Sequence, residues 1–452
     1  MTQTFRSEKR TPRRLLQPLL KLHKRLDAYT SWEIAANAEK TVLALVVLFG
    51  LAASLAPLAY GQNYKEQIVY GFTGGADGGA PGAGLFVLNT EHGLYSTTET
   101  GGDLNCFAPF GCGTVFQVSE TGIESVLHSF SGSPGDGAFP TAAITIDSSG
   151  NIYGTTSEGG AAACPTGNGY GCGTVFYLNS VAAETVLHNF AGQPDGQNPQ
   201  GFVQDAQGNL YGVTSVGGTG GCESSGVNVG CGTVFEVSNA GTYTVLYSFR
   251  GPPDGKSPYT LVQDAQGTLY GTTAEGGRGT CYGQGCGVIF KLDTAGRESV
   301  VYRFTGGRDG GEPVSVTVGP GGTLYGTTYL GGDLSCGEAL GCGVVFQIAK
   351  SGVETALYTF MGGSDGSQPE NVAIFDGAGT LYGTTFGGGT YGYGTVFRLN
   401  KTGGKSLIYA FKGAPDAADP DSGLVRGSNG YLYGTTILGG PSNAGTVYEL
   451  IP

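Results

Sequence analysis

The sequence predicts an all-β fold: a seven-bladed β-propeller of four-stranded blades, closed by the N-terminal strand pairing into the last blade. Three observations carry this. The phrase LYGTTxxGG, or a close variant, recurs with its Tyr at positions 95, 153, 211, 270, 325, 382 and 433. Two further phrases recur equally often, and the first and last repeats are incomplete in complementary ways. Four strand-like segments in each repeat of about 50 residues mark a propeller blade, and about four to eight blades is the usual range.

Each element follows from its own residues. Strand A is a short apolar run such as GFVQD (201–205) or TLVQD (260–264), and strand B is LYGTT. Strand C is GTVFxL, with its aromatic at Phe116, Phe176, Phe235, Phe290, Phe346, Phe397 and Tyr448. Strand D, ETVLYSF or similar, ends in Phe72, Phe130, Phe190, Phe249, Phe304, Phe360 and Phe411. Turn dipeptides such as Gln207-Gly208 and Gln266-Gly267 separate them. The body opens on a lone D strand, Gln67 to Phe72, and closes on strands A, B and C (Gly445 to Leu450) with no D. Joining the two ends completes a blade and removes the exposed edges. With A innermost, the B-to-C and D-to-A connections share one face and the tight A-to-B and C-to-D turns the other. The long loops are expected on the first face.

Composition agrees. The 452 residues include 85 Gly and only 13% charged residues, about half the usual share, beside 25 Tyr and 22 Phe. So much Gly works against long helices, at about 1 kcal/mol per interior site relative to Ala. Residues 1–61 carry a net charge of +5 and residues 62–452 one of −18, which sets nucleic acid aside as a partner.

Residues 1–61 read as a basic region followed by an apolar export signal or anchor, and 62–452 as the propeller. The run Thr41 to Tyr60 has no charge, and Ala59-Tyr60-Gly61 suits signal-peptidase cleavage before Gln62. An uncleaved anchor through 41–60 or a misplaced start codon are the alternatives, the run being long enough to span a bilayer. In each of the first two cases the body lies outside the cytosol.

The repeated LYGTTxxGG with GTVFxL closely resembles the GloVer tandem repeat of exported bacterial proteins, named for Gloeobacter and Verrucomicrobia and described as "choice-of-anchor". The resemblance covers about residues 67–452. It implies a secreted, periplasmic or cell-surface location and supplies no catalytic residues. The sequence ends at Pro452 directly after the last C strand, with no sorting tail, so anchoring by such a tail is not expected.

All ten Cys fall in five B-to-C loops, as Cys106/Cys112, Cys164/Cys172, Cys222/Cys231, Cys281/Cys286 and Cys336/Cys342. Blades six and seven have Tyr391/Tyr393 and Pro441/Ser442 instead. Gain and loss in pairs points to a disulfide within each loop, in an oxidising compartment. Zinc ligation would need two pairs to converge, across loop tips held too far apart.

His128 and His188 stand in D strands where other blades put Tyr or a similar residue, and read as strand positions; His92 falls in an A-to-B turn. No HExxH motif and no Ser/His/Asp spacing is present, which leaves no visible His-based catalytic centre. Carboxylate pairs remain open. The only Trp is Trp32, outside the body, and the absence of a WD dipeptide argues against a WD40 blade. The Gly-rich 74–84 stretch lacks the helix and Lys of a phosphate loop.

Asp77, Asp136, Asp195, Asp254, Asp309, Asp365 and Asp416 occupy matching places in the D-to-A connections. Each carboxylate either caps its own turn or joins Glu99, Glu158 and Glu275 in an acidic ring for Ca²⁺ or a cationic ligand. Asp419 and Asp421 add charge in blade seven, where a preferred site is expected. No cofactor beyond that Ca²⁺ is expected. The leading function is a non-catalytic binding or cell-surface module, a monomer meeting an unidentified protein or glycan on the long-loop face. The alternatives are a carbohydrate-active hydrolase or lyase using carboxylates on that face, and a purely structural repeat. Convergence of carboxylates from different blades in one pocket, with raised pKa, discriminates between the first two.

Overall fold

The computed structural model describes residues 64–452 apart from 83–86, 89–92, 120, 133, 143, 162–163, 165–169, 225, 338–339 and 373–378. The expected export segment 1–61, the expected cleavage point before Gln62, and His92 therefore lie outside the described residues.

Seven antiparallel sheets, each ordered A-B-C-D, make up the body. Blade three is typical, with A at Gly196–Gln204, B at Leu210–Gly217, C at Thr233–Val237 and D at Tyr243–Ser248. Strand A is longer than the sequence suggested, because pairing starts at the Gly that follows the turn Asp and continues past a Pro, where the register slips between Pro199 and Phe202. The D-to-A connection is correspondingly short, residues 249–254 between blades three and four, so the long connections are the B-to-C loops. In blades one, two and seven strand A is broken into two pieces, as at Ala417–Ala418 and Val425–Arg426.

Ring closure is by the N-terminal strand. Lys65–Gly71 pairs antiparallel with Thr446–Ile451 and becomes strand D of blade seven.

The core lies between blades. Both faces of each C strand are covered, so Val234, Phe235 and their equivalents are wholly buried rather than alternating in and out. The terminal Phe of each D strand packs edge-on against the C-strand aromatic of the next blade: Phe130 on Phe176, Phe249 on Phe290, Phe360 on Phe397, at centroid separations of 5.0–5.2 Å. The same contact closes the ring, with Phe411 on Tyr448 and Phe72 on Phe116 at 5.0 and 4.9 Å. Tilted and edge geometries of this kind add about 0.5–1.5 kcal/mol per pair beyond burial. The Gly of LYGTT makes room for it: a Cβ at Gly154 or Gly383 would strike the ring of Phe176 or Phe397.

A second lock repeats at every junction. The residue before each A-strand Pro has positive φ: Ala80, Phe139, Asn198, Ser257, Glu312, Gln368 and Asp419, at 47–57°. Such a conformation costs about 1–3 kcal/mol and persists only where the surroundings fix it. Here its N–H donates to a carbonyl of the preceding blade, that of the second Cys in five cases, Tyr393 in blade six and Ala444 in blade seven, at 2.8–3.1 Å. The Pro ring then sits on the Gly that opens strand C of that blade, Pro140 on Gly113 through to Pro81 on Gly445.

All five Cys pairs are bridged within their own loops: Cys106–Cys112, Cys164–Cys172, Cys222–Cys231, Cys281–Cys286 and Cys336–Cys342, with Cα separations of 4.9–5.6 Å. The second Cys of each pair, placed on a loop by the sequence, belongs instead to the core. Cys112, Cys172, Cys231, Cys286 and Cys342 are 0–4% exposed and cluster with the terminal D-strand Phe of their own blades, Phe130, Phe190, Phe249, Phe304 and Phe360. The reason is position: each of the five directly precedes the Gly that opens strand C, so it enters the packed sheet with that strand. The bridges therefore tie each loop down to the core and offer no sulfur to the long-loop face from those five positions. The sulfurs lie against a Gly of the adjacent D-to-A turn, as at Gly132, Gly251 and Gly362; in blade six the Tyr393 ring fills that place against Gly413. Among the described residues no helix is long and apolar enough to cross a membrane.

Candidate functional site

The seven turn aspartates are each held by their own blade. Asp254 accepts from the Tyr247 hydroxyl at 2.8 Å and from the Arg250 and Gly255 N–H groups. Asp416 accepts likewise from Tyr409, Lys412 N and Ala417 N. Asp77 and Asp309 accept from Tyr70 and Tyr302 and from both donors of Thr73 and Thr305. Asp365 accepts from Tyr358 and Met361 N. In blades one and two the D-strand donor is a His, His128 to Asp136 at 3.4 Å and His188 to Asp195 at 3.1 Å. Burial works to raise these two carboxyls, but the hydrogen bonds and charge of His128 and His188, together with donors such as Ser131 and the Gly196 N–H, jointly outweigh it and hold both below their ordinary value. Turn capping therefore accounts for all seven positions. Among the described residues no three Asp, Glu, His or Cys side chains come together to hold a metal ion.

Behind each capped Asp lies the first residue of the next blade's D strand, a position the sequence reading passed over. It is Glu in five blades (Glu66, Glu124, Glu184, Glu298, Glu354), Tyr243 in one and Lys405 in one. In each Glu one oxygen, Oε1, is buried without a hydrogen-bond partner. Burial first, then the negative charge of Asp77, Asp254 and Asp309, pushes Glu124, Glu298 and Glu354 up to about 7. Lys405 instead pairs with Asp365 at 2.7 Å and stands over the rings of Tyr358 and Phe360.

Two further carboxyls that cap no turn, Glu370 and Asp421, belong to the A strands around the axis. The residue after each A-strand Pro is Gly82, Thr141, Gln200, Tyr259, Val314, Glu370 and Asp421. Thr141, Gln200 and Tyr259 line a cavity of roughly 340 Å³ bounded by A strands of blades two to seven. Glu370 is 8% exposed. Burial, then the charge of Asp421 in the neighbouring blade, pushes it up to about 8. Asp421 is pushed up to about 7 by burial and then by Glu99 of blade one. Tyr259, from blade four, is raised by burial and then by the charges of both Glu370 and Asp421. Tyr329 of blade five is raised by burial and then chiefly by Glu370. Groups from blades one, four, five, six and seven thus act on one another's charge, and Glu370, Asp421 and Tyr259 among them stand near the start of their A strands. Exposed Phe110, Tyr282 and Tyr391 on B-to-C loops lie on the long-loop face.

Two larger grooves, roughly 480 and 570 Å³, open between blades on the short-turn face. Their carboxylates Asp147, Asp205 and Asp264 accept N–H groups of their own turns and are spoken for.

A model of the Gloeobacter/Verrucomicrobia repeat matches residues 57–222, 109–340 and 334–452. The chain belongs to this repeat family. Among solved structures, this Gloeobacter/Verrucomicrobia repeat protein is similar to a streptogramin B lyase at 13% identity and a TM-score of 0.53, covering 86% of this chain and 97% of that one. It is also similar to the extracellular domain of a chain assigned to a hybrid two-component system of B. thetaiotaomicron, at 10% identity and a TM-score of 0.50. There the match covers 86% of this chain and 41% of the other. At such identities the likeness is one of fold. No curated protein matches the sequence.

Of the residues singled out from sequence, Asp421 belongs to the axial site, Asp419 supplies a blade-docking N–H, and the seven turn aspartates stay apart. Glu370 and Tyr259 were missed. A signal for them exists: the DGxxP frame recurs in six blades, with DAADP in the seventh, while the residue after its Pro changes every time.

Proposed function

We propose that this exported propeller is a non-catalytic binding module whose ligand, on a protein or glycan partner, seats in the axial mouth on the long-loop face. One observation carries the reading: Tyr259, Glu370 and Asp421 occupy the same position in three different blades, Tyr259 lines the axial cavity together with its equivalents Thr141 and Gln200, and the charges of Glu370 and Asp421 both act on it. Five bridged loops support an oxidising compartment outside the cytosol and stiffen the face that surrounds the mouth. A monomer suits the reading, since ring closure leaves no blade in need of a partner.

A carbohydrate-active hydrolase or lyase is the second reading, favoured by the same two carboxyls. A pair of acids from adjacent blades titrating near neutrality is what proton transfer to a leaving oxygen requires.

The test uses the full-length protein on a glycan array and in thermal-shift screening against small polar and charged compounds. Each ligand found is retested on Glu370→Gln/Asp421→Asn. Loss of binding with retained folding is expected. Ligands that bind the variant equally well would move recognition elsewhere. Turnover of 4-nitrophenyl glycosides that disappears in the variant would establish the enzymatic reading instead.

A further inference from the structure

The axial mouth is the acidic place that stands over a cavity at the centre of the ring. The turn aspartates are answered by backbone N–H groups, Asp365 also by Lys405, and Glu275 by Lys256 at 2.6 Å; the D-strand glutamates, each with one unpartnered oxygen, stand behind those capped aspartates and away from the axis. Glu370 is more than nine-tenths buried, and neither of its carboxyl oxygens has a hydrogen bond among the described residues. Its strand neighbours Asn371 and Val372 line the axial cavity, and Asp421, Tyr259 and Tyr329, from three other blades, are the groups coupled to its charge. None of these supplies positive charge. Asp421 is coupled in charge to Glu370, Tyr259, Tyr329 and Glu99, again without a cation among the described residues.

Beneath this acidic rim the cavity is mainly apolar, with Gln200, Ser315 and Asn371 among its polar lining residues. Phe202, Leu261, Val262, Val316, Val372 and Leu424 line its walls. Its volume of roughly 340 Å³ falls at the small end of ligand pockets, which run from about 300 to 1,000 Å³. An isolated buried carboxylate is costly, and the cost is removed by an opposite charge brought into contact. A calcium ion is a poor answer, because it needs about six to eight oxygen ligands and no cluster of three candidate side chains exists among the described residues. A single ammonium group with three donors and an apolar body fits both halves of the site.

We infer that the axial mouth binds an organic ammonium ion, its charged head between Glu370 and Asp421 and its apolar body in the channel below. This rests on the mouth being the binding site. Binding favours the ionised carboxyls, and these hold their protons near neutrality, with Glu370 at about 8 and Asp421 at about 7. Ammonium binding therefore expels protons. Affinity rises with pH, about tenfold per pH unit for each proton released, and levels off above about pH 8.

The experiment is isothermal titration of the full-length protein with n-hexylamine, and in parallel with n-hexanol, at pH 6, 7 and 8 in two buffers of different ionisation heat. An aliphatic ammonium stays charged throughout, its pKa lying near that of Lys at about 10.4. Hexylamine is expected to bind with proton release and with affinity that rises across the series, while hexanol binds more weakly and without pH dependence. Glu370→Gln should weaken hexylamine at least about tenfold at pH 8 and leave hexanol unchanged; should that variant fail to fold, Asp421→Asn carries the same arm. If hexanol binds as tightly as hexylamine, or hexylamine binds without releasing protons, the cation inference falls and the mouth remains a binding site. If neither compound binds, both fall.

Discussion

Tyr448 shows how strictly the repeat constrains a single residue. Six blades put Phe at this position, and here a hydroxyl is wholly buried with no hydrogen-bond partner. An unanswered buried hydroxyl costs about 1–3 kcal/mol, so Tyr448→Phe is expected to stabilise the protein by about 1 kcal/mol in urea unfolding; an unchanged or lower midpoint would mean the hydroxyl is answered. The converse holds at Gly271, where a Cβ would meet both the Phe290 ring and the Thr260 carbonyl oxygen. Overpacking of this kind costs about 1–3 kcal/mol. Gly271→Ala should therefore lower the unfolding midpoint clearly, and Phe290→Ala, which empties the same contact, by about 3–5 kcal/mol.

At the scale of the strand, the D strands give the protein an unusual response to pH. Glu124, Glu298 and Glu354 stay protonated up to about 7 in the folded state, against an ordinary value of 4.5. A folded state that binds more protons than the unfolded one loses stability as pH rises. The contribution is complete below about pH 4.5 and is lost as pH climbs through about 7. Glu370 and Asp421 act in the same window and direction, while Asp136 and Asp195, with lowered values, act only at lower pH. Stability should thus increase on acidification from pH 8 to pH 5. Glu298→Gln should raise stability at pH 8 by about 1 kcal/mol after discounting for partial exposure and flatten the curve. Guanidinium unfolding at four pH values measures this, and a parent protein most stable at pH 8 would contradict it.

The ring is the unit of stability at the scale of the molecule, because each junction repeats the same aromatic contact and the same Pro-on-Gly lock, closure included. Phe72→Ala, in the closing strand, should then cost as much as Phe130→Ala at an internal junction, about 3–5 kcal/mol by loss of a fully buried ring. A cost below 1 kcal/mol for Phe72→Ala alone would show the N-terminal strand to be a loose end. Deleting residues 62–73 should lower the melting temperature steeply for the same reason. Opening one bridge, by Cys281→Ala with Cys286→Ala, removes a constraint on a small loop worth about 2 kcal/mol. Loss of the buried Cys286 sulfur adds about 1 kcal/mol. The blade junction itself should hold, since its hydrogen bond uses the backbone carbonyl of Cys286.

Blade number, strand order, within-loop bridging and ring closure were legible in the sequence because a repeat writes the same local physics seven times. Alternation, turn dipeptides and paired Cys gain or loss all act within about 60 residues of chain. The turn aspartates were legible as caps or as an acidic ring, and the capped geometry of Asp254 and its equivalents came from donors within a few residues. Only the tertiary structure decided where unanswered charge lies. That the second Cys of every bridge is buried was likewise a matter of packing, since Cys231 and Phe249 meet only when strands C and D of the blade are assembled. Glu370, Asp421 and Tyr259 are 51 to 162 positions apart, and their convergence follows from seven-fold symmetry that turns the same A-strand position in every blade toward one axis. The same holds for Glu298 behind Asp254 and Lys405 beside Asp365: each pair joins two blades, so its chemistry exists only once the blades are packed.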